Sequence, residues 1–129
     1  IEPALRPLMG NRIYGCDDCQ LVCPWNKYAQ ASTVTDFLPR QGLQASGLLA
    51  LWDWDEAEFL RRTEGSAIRR IGHVRWLRNV ALAAGNALAK PSAMSDDERS
   101  GLVHALQRWQ SHSDPVVQEQ VTWSLQQAV

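Results

Sequence analysis

Three cysteines within eight positions, in the run GCDDCQLVCPWN, constrain this chain more than any other feature. Cys16, Cys19 and Cys23 are an odd number at tight spacing, which suits metal ligation in a reducing compartment better than a secreted disulfide framework. Thiolates are soft ligands that serve iron-sulfur clusters, zinc and copper(I), so the spacing has to choose among them. Cys16-x2-Cys19-x3-Cys23-Pro24 matches the closing portion of the bacterial ferredoxin run C-x2-C-x2-C-x3-C-P, whose final cysteine ligates the other cluster of a pair. A zinc site takes four ligands. The nearby donors besides the thiols are Asp17 and Asp18, which point elsewhere if they sit between chelating cysteines, while His73, His104 and His112 lie far along the chain and read as surface residues. Iron-sulfur ligation is therefore the leading reading, with structural zinc second and inert buried thiols third. A [4Fe-4S] cluster takes four cysteines, so no cluster is complete in this chain and the missing ligands are expected in residues that precede Ile1.

The rest of the sequence divides in two. Residues 1 to 46 are rich in Pro, Gly, Gln, Ser and Thr and show no strong period, so this cluster-binding segment needs something other than a core to order it. The region up to about Pro39 is accordingly expected to be poorly ordered in the absence of its metal, since formation of a metal site is coupled to folding. With 45% hydrophobic and 21% charged residues, the chain has the balance of one ordinary domain able to bury a single core. No run of about eighteen apolar residues argues for a membrane span, and no basic-then-apolar leader opens the chain. A cytoplasmic protein is expected, and the start at Ile1 inside a Pro-punctuated segment suggests that further chain precedes it.

Residues 47 to 129 carry the helical signals. In LLALWDWDEAEFLRRT, Asp53 stands three residues before Glu56, a capping-box spacing that predicts a helix running to about Thr63. HVRWLRNVALAAGNAL then places Val74, Leu77, Val80, Ala81, Ala84 and Leu88 on one helical face. Ser95 to Glu98 repeats the capping logic before a run to Trp109 with Leu102, Ala105 and Leu106 as its buried stripe, and Asp114-Pro115 opens the last helix as N-cap and first position. An offset of 40 residues superposes Leu77 on Val117, Ala81 on Val121, Ala84 on Ser124 and Glu56 on Asp96. A period near 40 built of helix pairs is the signature of HEAT-type repeats. The predicted fold is therefore all-α, an irregular cysteine-rich, ferredoxin-like cluster segment followed by two HEAT-like helix pairs, with an irregular four-helix bundle as the alternative.

MGNRIYGCDDCQLVCPWN together with GSAIRRIGHVRWLRNVALAAGN resembles the carboxy-terminal region of the epoxyqueuosine reductase family, over about Ile1 to Ala89. The last helix pair matches only in style. The resemblance implies a cytoplasmic, cobalamin-dependent oxidoreductase with two [4Fe-4S] clusters that reduces epoxyqueuosine to queuosine in the anticodon loop of transfer RNA. It implies that Cys16 and Cys19 serve the second cluster and that Cys23 crosses to the first. The family's cobalamin-binding domain and catalytic acid lie upstream, so the chain by itself is expected to be inactive. A monomer, partnered by that upstream domain and by tRNA, is the expectation.

The formal net charge of -1 would argue against a nucleic-acid partner, yet the bases are unevenly spread. Arg61, Arg62, Arg69, Arg70, Arg75 and Arg78 crowd one stretch in which Glu64 is the only acid. Guanidinium groups bind phosphate bidentately, so this stretch is the candidate RNA contact, against the plainer alternative that these side chains only solvate helix faces. Arg69 and Arg70, in a connection between helices, are the best candidates. Of the six tryptophans, Trp76, Trp109 and Trp123 are expected in packing, whereas Trp25, next to Cys23-Pro24, either shields a cluster, lies against the cofactor or packs locally. The competing view of the whole chain is a non-enzymatic helical-repeat module with zinc or bare cysteines. An ordinary ferredoxin would leave the helical half unexplained.

Overall fold

Seven α-helices follow one another in the computed structural model, which describes residues 1–39, 43 and 46–128. They are α1 (Arg6–Met9), α2 (Asp18–Leu21), α3 (Leu48–Trp52), α4 (Glu56–Arg62), α5 (Gly72–Leu88), α6 (Asp96–Arg108) and α7 (Pro115–Gln126), joined by short 3-10 turns. No strand occurs among the described residues, so the all-α expectation holds. The boundary expected near residue 46 adjoins positions 44 and 45, which lie outside the described residues.

Helix α5 is the axis of the fold. Leu77, Val80, Ala81, Ala84 and Leu88 are buried as the spacing predicts, but Val74, in the first turn, is exposed, because it lines an open cleft beside Val116 instead of entering the core. The main partner is α7, and the approach is close enough to specify residue 85. A Cβ at Gly85 would stand 2.8 Å from the Ser124 hydroxyl and from the Trp123 ring, and 2.9 Å from the Ser124 Cα. The Ser124 hydroxyl lies 2.7 Å from the Ala81 carbonyl, so a buried hydroxyl is satisfied across the helix crossing.

The first capping prediction is displaced. Asp55, not Asp53, is the N-cap of α4, its carboxylate accepting from the Glu58 N–H at 2.7 Å. Leu48–Trp52 forms a short helix of its own because Leu51 and Trp52 enter the core, and Asp53 then closes that helix. The Ser95–Glu98 capping box and the Asp114 cap ahead of Pro115 both form as expected. With Asp55 in place, the offset of 40 becomes more regular. It carries N-cap Asp55 onto N-cap Ser95 and Glu58 onto Glu98, and pairs the fully buried Leu77 and Ala81 with the fully buried Val117 and Val121.

Aromatic stacking closes the end of the core. Trp54 and Trp76 lie parallel with centroids 5.2 Å apart, Phe59 tilts against Trp76, and the Trp76 Nε1 donates to the Leu51 carbonyl at 3.3 Å. Trp109 packs edge-on to Trp52, and the half-buried Trp123 lies beneath the Arg6 guanidinium. His73, expected at the surface, is half-buried, with its Nε2 2.8 Å from the Trp54 carbonyl.

The opening segment has attachments that its sequence does not advertise. Arg6 is 3% exposed, donates to the Ile1 carbonyl through Nε and Nη2, and pairs with Glu119 of α7. Asn86 donates to the carbonyls of Arg6 and Gly10 at 2.9 and 2.8 Å, and Asn79 donates to that of Ile13 at 2.6 Å. The segment expected to depend on metal for its order is thus tied to the helical half as far as Ile13.

Gly85→Ala should lower the urea midpoint of unfolding. Overpacking against backbone typically costs about 1–3 kcal/mol, which outweighs the roughly 1 kcal/mol of helix propensity gained. A midpoint equal to or above that of the parent would show that α5 and α7 can separate at no cost.

Candidate metal centre and arginine cleft

The cysteine run wraps tightly because two successive odd positions turn left-handed. Gly15 has φ +64° and Asp17 φ +53°, and α2 begins at once with Asp18. Cys23 is extended and leads into the turn Pro24–Tyr28, where Asn26 donates back to the carbonyls of Gln20 and Leu21 at 2.7 and 3.3 Å. Cys16 and Cys19 are exposed, Cys23 is half-buried, and all three are free thiols. Asp18 is held by Arg12 at 3.0 Å, leaving the thiols as the soft donors of the run.

Among the described residues no three His, Cys, Asp or Glu side chains gather as they would around one ion. The donor set fits a soft metal centre in its chemistry. It does not make a self-contained four-ligand zinc site. Leu21, Val22, Trp25 and Tyr28, all on or beside the run, are 63–78% exposed. Trp25 touches the Tyr28 ring at 5.5 Å between centroids and otherwise faces solvent.

The six arginines separate into three environments. Arg61 and Arg62 converge on Glu58, at 2.7 and 2.5 Å, and the Arg62 guanidinium also lies 5.0 Å over the Trp54 ring. The Arg61 and then the Arg62 hydrogen bonds pull the Glu58 carboxyl down from 4.5 to about 2. Arg69 and Arg70 lie in the exposed turn Ala67–Ile71, capped by Ser66, and have no acidic partner among the described residues. Gly72, with φ +74°, lets the chain leave this turn and enter α5, a conformation that other residues adopt with strain.

Arg75 and Arg78 line a cleft of about 620 Å³ with Ile71, His73, Glu56 and Asp114. Arg75 donates to the Ile71 carbonyl at 3.3 Å. Arg78 is half-buried, and burial first, then the charge of Arg75, lowers the pKa of its guanidinium. The structure thus unites Arg75 and Arg78, pairs Arg61 and Arg62 with a carboxylate, and leaves Arg69 and Arg70 exposed in a turn. Sequence reading missed Asn79, Asn86 and Arg6. The available signal was two asparagines seven positions apart in an otherwise Ala-rich, apolar helix, where Asn is a poor helix former.

Across all 129 residues the chain is 55% identical to a protein of Alicycliphilus denitrificans named epoxyqueuosine reductase, and covers 35% of it. It is 52% identical to the protein of that name in Burkholderia pseudomallei, with 99% of the chain aligned and 32% of the relative covered. In Escherichia coli K12 the figures are 50% over the whole chain and 31% of the relative. The chain is homologous to the epoxyqueuosine reductases. It spans about a third of the length of these curated relatives. No protein-family model and no solved structure matches it. The similarity to epoxyqueuosine reductases covers the cysteine run, the arginine stretch and the last helix pair alike, so it extends beyond the Ala89 limit of the sequence resemblance.

The Glu58 interaction has a definite pH dependence. Its folded carboxyl lies below the unfolded value of 4.5, so the stabilisation from Arg61 and Arg62 is full above about pH 4.5 and is lost as pH falls towards 2. Carbon-detected NMR titration should find the Glu58 midpoint near 2. A midpoint in the ordinary carboxylate range would mean that the two arginines do not hold it in solution.

Proposed function

We propose that this chain is the carboxy-terminal part of an iron-sulfur oxidoreductase that reduces epoxyqueuosine to queuosine in tRNA, as a cytoplasmic monomer. The observation that carries the reading is identity of 50–55% over the whole chain to proteins named for that activity. Cys16 and Cys19 would ligate one [4Fe-4S] cluster and Cys23 a second, with the remaining ligands, cobalamin and the catalytic acid supplied by the upstream domain. Bound there, the clusters supply one-electron transfer towards the cobalamin.

What the chain's own residues contribute is placement and charge. The free thiols stand on a tightly wound segment that is fastened to α5 and α7 through Ile13, Gly10 and Arg6, which fixes where the donors are presented. The exposed Leu21, Val22, Trp25 and Tyr28 form an apolar surround of the kind that keeps water from a cluster once another domain covers it. Residues 47 to 129 would form two HEAT-like helix pairs that hold the tRNA backbone. Arg69 and Arg70 are the accessible phosphate contacts, Arg75 and Arg78 supply positive charge at the start of α5, and Arg61 and Arg62 contribute only what Glu58 leaves them. Without the upstream domain the chain is inactive in epoxide reduction.

The test is iron and acid-labile sulfide content, with EPR spectra, of the anaerobically reconstituted full-length protein beside Cys16→Ser, Cys19→Ser and Cys23→Ser. The expected result is about eight irons per parent molecule and a loss of about half or more in each variant. Zinc without sulfide, or metal content indifferent to the three cysteines, would replace this reading with a non-enzymatic helical-repeat module.

A further inference from the structure

Arg78 and Asn79 are neighbours in sequence, yet their side chains form one unit. The guanidinium donates through Nε and Nη2 to the Asn79 Oδ1 at 3.0 and 2.9 Å. The other end of the same amide donates through Nδ2 to the Ile13 carbonyl at 2.6 Å, and Ile13 is three residues before Cys16. A cation lining the cleft is thereby joined, through one planar amide, to the backbone three residues ahead of Cys16.

Holding the segment in place does not by itself require this arrangement. Asn86, seven residues further along α5, grips two carbonyls of the same segment, and among the described residues no cation bonds its oxygen. Asn79 differs in that its acceptor end is committed to a charge that the cleft leaves accessible. A guanidinium has five N–H donors, and the two turned to Asn79 leave the others for an anion in the cleft. Hydrogen bonds in a chain polarise one another, so a phosphate on Arg78 changes both the geometry and the strength of the bond from Asn79 to Ile13.

We propose that Asn79 is a positioning residue that relays RNA phosphate binding at Arg78 to Ile13 and the cysteine run, so that RNA occupancy tightens the segment presenting the cluster ligands. The proposal rests on the reading of this chain as part of a tRNA-acting iron-sulfur protein. Asparagine suits the role because one rigid group both accepts from the guanidinium and donates to the carbonyl. In Asn79→Leu, a side chain of similar size, both bonds are lost and no charge is added beside Arg78, which separates the relay from the cation. Coupling of this kind is reciprocal, so the segment's state must also alter the affinity for RNA by the same factor.

The experiment uses the full-length, cluster-reconstituted protein and measures amide hydrogen exchange of residues 13–23 with and without tRNA, together with the dissociation constant for tRNA. In the parent, tRNA should slow exchange across 13–23 by about fivefold or more, at the lower end of typical coupling. Asn79→Leu should weaken tRNA binding by no more than the roughly fivefold that loss of the coupling itself implies, while exchange across 13–23 no longer responds, since Arg78 keeps its charge. Arg78→Lys, which keeps the charge and loses the fork onto Asn79, should abolish the same response and decides the matter if Asn79→Leu does not fold. A parent that binds tRNA and holds iron but shows no change across 13–23, or variants that respond as the parent does, would overturn the relay and leave the reductase reading standing. A parent without iron or without tRNA binding would overturn both.

Discussion

The crossing of α5 and α7 is the contact on which the other features depend. Gly85 admits the Ser124 backbone to a distance that no side chain would allow, and the Ser124 hydroxyl then finds the Ala81 carbonyl inside the interface. Once that crossing is set, the opposite sides of α5 have fixed destinations. One carries Trp76 into its stack with Trp54, another presents Asn79 and Asn86 to the opening segment, and the first turns bring Arg75 and Arg78 to the cleft beside α7's cap at Asp114.

How much of this could be read from sequence depends on what kind of partner each residue has. Positions that bury apolar side chains at helical spacing were legible: Leu77, Val80, Ala81, Ala84 and Leu88 in α5, and Leu102, Ala105 and Leu106 in α6, are where the period puts them. Caps followed by glutamate were legible too, with one slip. Asp53 and Asp55 offer overlapping cap patterns, and the choice was made by Leu51 and Trp52 entering the core, a tertiary event that no local rule contains. The cysteine run was conspicuous by spacing alone. Spacing marks the thiols as donors, while among the described residues no three potential ligands gather around one point.

The least legible part was the attachment of the opening segment. Its partners on the near side are carbonyl oxygens, which every residue possesses, so no residue type in positions 6–13 announces them. Arg6 would be taken for a surface base, yet it is almost wholly buried, paired with Glu119 and stacked over Trp123. The arginine stretch shows the converse. Six like residues in a row of sequence look equivalent, and folding distributes them among a carboxylate, an exposed turn and a cleft.

That docking through carbonyls divides mutational freedom unequally between the two sides of one contact. A side chain can change at Gly10 or Ile13 and still present the oxygen that α5 reads, provided the new residue tolerates the local backbone, +59° in φ at Gly10. Asn79 and Asn86 have no such latitude, because the donor they supply is the side chain itself. Insertions are the exception, since one added residue between Arg6 and Ile13 would put the oxygens on its two sides out of register with each other. Sequences that share this architecture can therefore drift in the composition of the opening segment, Arg6 and the apolar Ile13 apart, while keeping its length and the two asparagines that hold it.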